Sequence, residues 1–92
     1  MTLVRCQISE GPRPGFKEVG VTSVEGHNEF LAVEERFLAR RNGDILLPVE
    51  VVGRDPRHGT TLVQLPFEAD SGANRVWVRS DDVVAEPDEA LA

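Results

Sequence analysis

Residues 45–52, Ile-Leu-Leu-Pro-Val-Glu-Val-Val, constrain the fold most. Ile45, Leu47, Val49 and Val51 fall on one face of an extended chain, and Leu46, Pro48, Glu50 and Val52 on the other, which is the period of a strand. Such a strand is apolar on nearly both faces, so it must pair along an edge and be covered, and the rest of the sequence has to supply its partners. Pro48 has no N–H to give to a ladder, and it predicts an edge position or a bulge.

Partners are plentiful. Residues 2–8 alternate, with Val4, Cys6 and Ile8 on one face and Arg5 and Gln7 on the other. The run Gly11-Pro12-Arg13-Pro14-Gly15 forbids regular structure, and Val19, Val21, Thr22 and Val24 suggest a second strand closed by the turn-prone Glu25-Gly26-His27-Asn28. Beyond the central strand, residues 53–59 read as a long hairpin-type connection. Residues 61–67 resume alternation through Val63, Leu65 and Phe67. Residues 68–74 form a loop and residues 75–79 a strand, with Val83 and Val84 adding a short last pairing.

Residues 29–41 fit two templates. As a helix they are capped by Asn28, end in Arg40 and Arg41, stop at Asn42-Gly43, and put Phe30, Val33, Phe37 and Leu38 on one stripe. As strand, turn and strand, they turn at residues 34–37 and again in a tight hairpin at Asn42-Gly43. An internal repeat favours the second template: Leu31-Ala32-Val33, four residues, then Leu38 matches Val76-Trp77-Val78, four residues, then Val83.

The expected fold is therefore mainly β, a small antiparallel barrel or roll of five or six short strands over residues 1–84, with α+β and one helix at 29–41 as the alternative. Closure into a barrel would remove the exposed edges on which isolated sheets aggregate. The stretch Val76-Trp77-Val78-Arg79-Ser80-Asp81-Asp82-Val83-Val84 resembles the closing strand, turn and strand of SH3-like barrels. That superfold hosts peptide binders, nucleic-acid binders and structural inserts alike.

Charge is unevenly placed along the 92 residues. Residues 1–79 carry ten basic and eleven acidic side chains, while Asp81, Asp82, Glu86, Asp88 and Glu89 supply the rest of the net −6, so residues 85–92 read as an acidic tail with little to bury. Arg36, Arg40, Arg41, Arg54 and Arg57 stand against three acids in the same stretch, too mild an excess for a nucleic-acid footprint. The first twenty residues lack a signal-like organisation, and no run approaches the roughly 18 apolar residues of a membrane span, so a cytoplasmic protein is the expectation.

Chemistry-bearing residues are sparse. Cys6, the only cysteine, and His27 and His58 have no ligand spacing, so neither metal nor cofactor is expected. Ser71, His58 and Asp55 or Asp70 make a nominal hydroxyl, base and acid, but nothing in their spacing holds them together, and a chain this short cannot surround a substrate. Glu68, Asp70 and Asn74 put oxygens in one loop without the calcium-loop spacing.

One constellation remains. In a strand, Arg75, Trp77 and Arg79 point to one side and Val76 and Val78 to the other, so burying the valines sets an indole between two guanidinium groups on the outer surface. Such a platform suits aromatic, proline-rich or carboxylate-bearing ligands. The expected function is non-catalytic protein or peptide interaction through Arg75, Trp77 and Arg79 with Glu68, Asp70 and Asn74. The competing readings are a nucleic-acid-binding barrel and a homo-oligomerisation domain in which a second copy covers leftover apolar surface such as Phe16, Phe30 or the face of Leu46, Pro48 and Val52.

Overall fold

The computed structural model describes residues 1–85, and the expected tail falls, except for Ala85, outside them. Nine antiparallel strands account for the regular structure there: β1 (Thr2–Arg5), β2 (Gln7–Glu10), β3 (Phe16–Thr22), β4 (Asn28–Glu34), β5 (Ala39–Arg41), β6 (Asp44–Asp55), β7 (Thr60–Gln64), β8 (Arg75–Arg79) and β9 (Val83–Ala85). Three-residue 3₁₀ turns at Glu35–Phe37 and Ser80–Asp82 precede β5 and β9. The count exceeds the expected five or six because the first extended run breaks at Cys6 and because β5 and β9 are only three residues long. No helix among the described residues is long and apolar enough to cross a membrane.

The helical alternative for 29–41 is overturned. β4, a 3₁₀ turn and β5 occupy that segment, and β5 forms a hairpin with β6 through Asn42 (φ 52°) and Gly43 (φ 87°), both left-handed as a two-residue turn of that hand requires. Packing decides the matter. The strand buries Leu31 and Val33 to 1% exposure and leaves Phe30 and Phe37 outside, whereas a helix would have driven Phe30 and Phe37 inward.

The two halves of the chain repeat one plan. β2, β3 and β4 form a meander that runs through a 3₁₀ turn into β5; the second part of β6 with β7 and β8 forms another that runs through a 3₁₀ turn into β9. Hydrogen bonds repeat as well. Glu35 N–H donates to the Gly15 carbonyl at 2.8 Å, and Ser80 N–H donates to the Gly59 carbonyl at 2.9 Å. The closing strands are exchanged: β5 pairs with β6, β9 pairs with β1, and β1 and β6 pair with each other through Thr2↔Val49 and Val4↔Leu47. The halves are thus interlocked around one core containing Val19, Val21, Leu31 and Val33 from one meander and Val63, Val76 and Val78 from the other.

The strand pairings do not close a barrel. One sheet ends at β8 and β9, the other at β2 and β4. Instead, each meander's loop covers the other's open edge. Val24 N–H, in the β3–β4 turn, donates to the Trp77 carbonyl of β8 at 2.9 Å, and Asp70 N–H, in the β7–β8 loop, donates to the Phe30 carbonyl of β4 at 2.8 Å. Both loops are built alike. Ser23 N–H reaches the His27 carbonyl and Ala69 N–H the Ala73 carbonyl, each at 2.7 Å, with a left-handed glycine inside each turn (Gly26, φ 86°; Gly72, φ 94°). Edges that strand pairing leaves open are blunted by loops, which is a recognised way of preventing edge-to-edge association.

Pro48 sits at a local edge of β6 rather than in a bulge. It pairs with Leu3 of β1, but on its other side β6 changes partner, from β5 at Ala39↔Leu46 to β7 at Glu50↔Gln64. On that side no strand pairs with residues 47–49, so a residue without an N–H donor is tolerated there. The bulge comes later, between Val51 and Gly53.

Candidate functional site

β8 alternates in the way its sequence requires. Val76 and Val78 are buried at 5% and 1% exposure, while Arg75, Trp77 and Arg79 are exposed on the outer face. Register sets their surroundings: Trp77 lies opposite Leu62, which lies opposite Gly53, Arg75 lies opposite Gln64, and Arg79 opposite Thr60. The indole crosses Leu62 and reaches toward Gly53, where a β-carbon would stand 4.0 Å from Trp77 Cη2. That support leaves the indole 40% exposed.

The guanidinium groups are lightly engaged. Arg75 Nε donates to Gln64 Oε1 at 3.3 Å, and an Arg79 terminal nitrogen is 4.0 Å from Asp81 Oδ2, with both side chains largely in water. Below them the buried Thr61 hydroxyl meets Ser80 Oγ at 2.8 Å, tying the 3₁₀ turn after β8 to β7 and fixing the end of the strand.

Glu68, Asp70 and Asn74 lie in the loop that covers β4. Asp70 uses its backbone N–H on Phe30, the Asn74 carbonyl accepts from Leu65 N–H at 2.9 Å, and all three side chains are exposed. Ser71 Oγ donates to Glu29 Oε2 in the same place. Asp70 and Ser71 are therefore tied to β4, whereas Asn74 adjoins Arg75 and continues the β7–β8 pairing at the start of the indole row.

The nominal catalytic residues are likewise separated. Asp55 and His58 meet at 2.7 Å in the exposed β6–β7 turn, near the Ser80 end of β8, whereas Ser71 precedes the opposite end of that strand. The His58 hydrogen bond lowers the Asp55 pKa. Cys6 packs half-buried against the core and donates to the Ile45 carbonyl at 3.6 Å, and burial pushes its thiol up to about 11.

A second surface was not read from the sequence. Where β6 changes partner, Met1, Phe37 and Phe67 gather with Pro48 and Pro66 around an almost wholly apolar groove of about 240 Å³. Phe67 was expected to continue the alternation of β7, but that strand ends at Gln64, and the ring is 50% exposed. Two prolines flanking the strand break were the available signal.

No family model, no curated protein and no solved structure matches this chain.

Proposed function

We propose that the chain is a non-catalytic interaction domain, an SH3-like roll that binds a protein or peptide partner through Arg75, Trp77 and Arg79. The observation that carries the reading is a 40% exposed indole in one outward row with two exposed arginines. Tryptophan and arginine are the side chains that most often dominate binding energy, because each offers a large contact area together with a polar handle. The edge of β8 is already covered at Trp77 by Val24 N–H, so recognition uses side chains rather than the addition of a strand. A cytoplasmic setting goes with this reading.

The test is selection of a random peptide library displayed on phage against the domain, followed by titration of the selected peptides against Trp77→Ala and Arg75→Glu/Arg79→Glu. Circular dichroism establishes that each variant is folded. The expected result is a loss of at least about tenfold in affinity for both variants, the size of a modest hot spot. Peptides that bind both variants as well as they bind the parent refute the assignment.

A further inference from the structure

Two residues join the halves of this chain. Residues 1–41 carry β1 to β5, residues 44–85 carry β6 to β9, and Asn42-Gly43 alone links them. The other contacts between the halves act through space. Among them are the ladders of β1 with β6, β1 with β9 and β5 with β6, the loop bonds at Trp77 and Phe30, the Arg5–Asp44 ion pair at 3.5 Å, the Cys6 bond to the Ile45 carbonyl and the shared core. None of these contacts requires that the two halves belong to the same chain. The pairings inside each meander, β2 with β3 and β4 in one and β6 with β7 and β8 in the other, involve no residue of the opposite half.

The link itself is exposed, and a methyl placed on Gly43 would meet nothing within 4 Å, so no packed side chain holds the turn closed at that point. What favours the closed turn is its conformation, since φ of 52° and 87° suits Asn and Gly and few other pairs. Register shows what an open link would do. The β5–β6 ladder runs Ala39↔Leu46, Arg40↔Ile45, Arg41↔Asp44, and its next step sets Asn42 opposite Gly43. One chain cannot make that pair, because the two residues are neighbours in the turn. Two chains with extended links make it twice, about a two-fold axis, and β5 and β6 then run on as one strand from Ala39 to Asp55 beside the same strand of the other copy.

We infer that a second copy of this chain is a partner by exchange of halves: with Asn42-Gly43 extended, residues 1–41 of each copy close on residues 44–85 of the other. Each of the two bodies so formed repeats the contacts that join the halves in the monomer, so the dimer differs from two monomers at the links and in the entropy of association. It is closed, with no unpaired half left to recruit a third copy. Concentration favours it, and a comfortable turn opposes it. Because the halves share one core, they part only when the domain unfolds, so monomer and dimer interchange slowly in native buffer. The inference is independent of the Trp77 reading, since exchange leaves the outer face of β8 as it is.

Refolding the full chain from urea at high and at low protein concentration, followed by size-exclusion chromatography with light scattering and by circular dichroism, tests the exchange. The wild type should yield a folded dimer in the concentrated sample only, and that dimer should persist on dilution into native buffer. Gly43→Val places a β-branched residue where φ is 87°, a strain of about tenfold in equilibrium per turn that the dimer relieves at both links, so the dimerisation constant should rise about a hundredfold. Gly43→Ala should give a smaller rise, and a glycine-rich insertion between Asn42 and Gly43, which relaxes the closed link, should return the chain to the monomer. Arg40→Cys/Ile45→Cys, facing each other across the ladder in a Cys6→Ala background, separates exchange from surface association. Once oxidised, that pair closes within one chain in the monomer and between chains in the exchanged dimer, which then runs at twice the mass on a non-reducing gel. A concentrated wild type that stays monomeric, a Gly43→Val chain that folds at no concentration or shows no more dimer than its parent, or a dimer whose disulfides all close within single chains overturns the inference.

Discussion

Neighbouring residues on β4 provide the sharpest test of the fold. Leu31 is 1% exposed inside the shared core, whereas Phe30, one residue earlier, is 44% exposed with its ring across Gly20. Truncating a fully buried leucine removes its transfer free energy and leaves a cavity, together about 2–5 kcal/mol, whereas a ring on an open face leaves no cavity and its loss should cost about 1 kcal/mol. For a domain of this size each kcal/mol moves the melting temperature by roughly 4–8 °C. Leu31→Ala at about 3 kcal/mol should therefore lower Tm by about 12–24 °C, and Phe30→Ala by less than about 8 °C. The first loss is a large part of the roughly 5–14 kcal/mol available to a domain of this length. Urea and thermal unfolding followed by far-UV circular dichroism would measure both. If Phe30→Ala proves as damaging as Leu31→Ala, residues 30 and 31 do not alternate between an open face and the core, and the strand assignment is wrong.

Two further outcomes follow from ionisable groups. With its thiol pushed up to about 11, Cys6 should react with Ellman's reagent at pH 8 on the order of a hundredfold more slowly in the native state than in urea; native and denatured rates within a few-fold of each other would contradict the burial. The folded pKa of Asp55 is depressed, chiefly by the hydrogen bond from His58, so its contribution to stability is complete above the ordinary aspartate pKa and fades as pH falls through the lower folded value. The Asp55 carboxyl carbon should accordingly titrate below the usual range by NMR and return to it in His58→Ala, and an unchanged midpoint would show that the contact does not persist in solution.

Much of the backbone was legible because its causes are local. Alternation in residues 45–52 and 75–79 is a direct statement about which side chains share a face, and Asn42-Gly43 is a turn that few other pairs make. The repeat favoured strand, turn and strand over residues 29–41 where propensity pointed to a helix, because two copies must bury their apolar positions in the same way. Closure was not legible. Whether two meanders pair their edges or cover them with loops depends on contacts such as Val24 to Trp77, fifty-odd residues apart and made by backbone atoms that every residue carries. The outward row of Arg75, Trp77 and Arg79 followed from period two, while the bond from Asp70 N–H to β4 depended on that same long-range closure.

The repeat also acts as an internal control on what the fold needs. Counted from the 3₁₀ turns, Leu31 and Val33 correspond to Val76 and Val78, and all four are buried and apolar, because one core must be filled from both sides. The outer positions obey no such rule. Arg79, immediately before its 3₁₀ turn, corresponds to Glu34, of opposite charge, and Trp77 corresponds to Ala32. A meander of the same plan thus folds with alanine where the other carries tryptophan, and with a carboxylate where the other carries a guanidinium. The shared plan therefore does not dictate the indole at this position, which leaves 40% of its surface in water. The divergence between halves is greatest on the faces turned away from the core, where core packing does not fix the side chain.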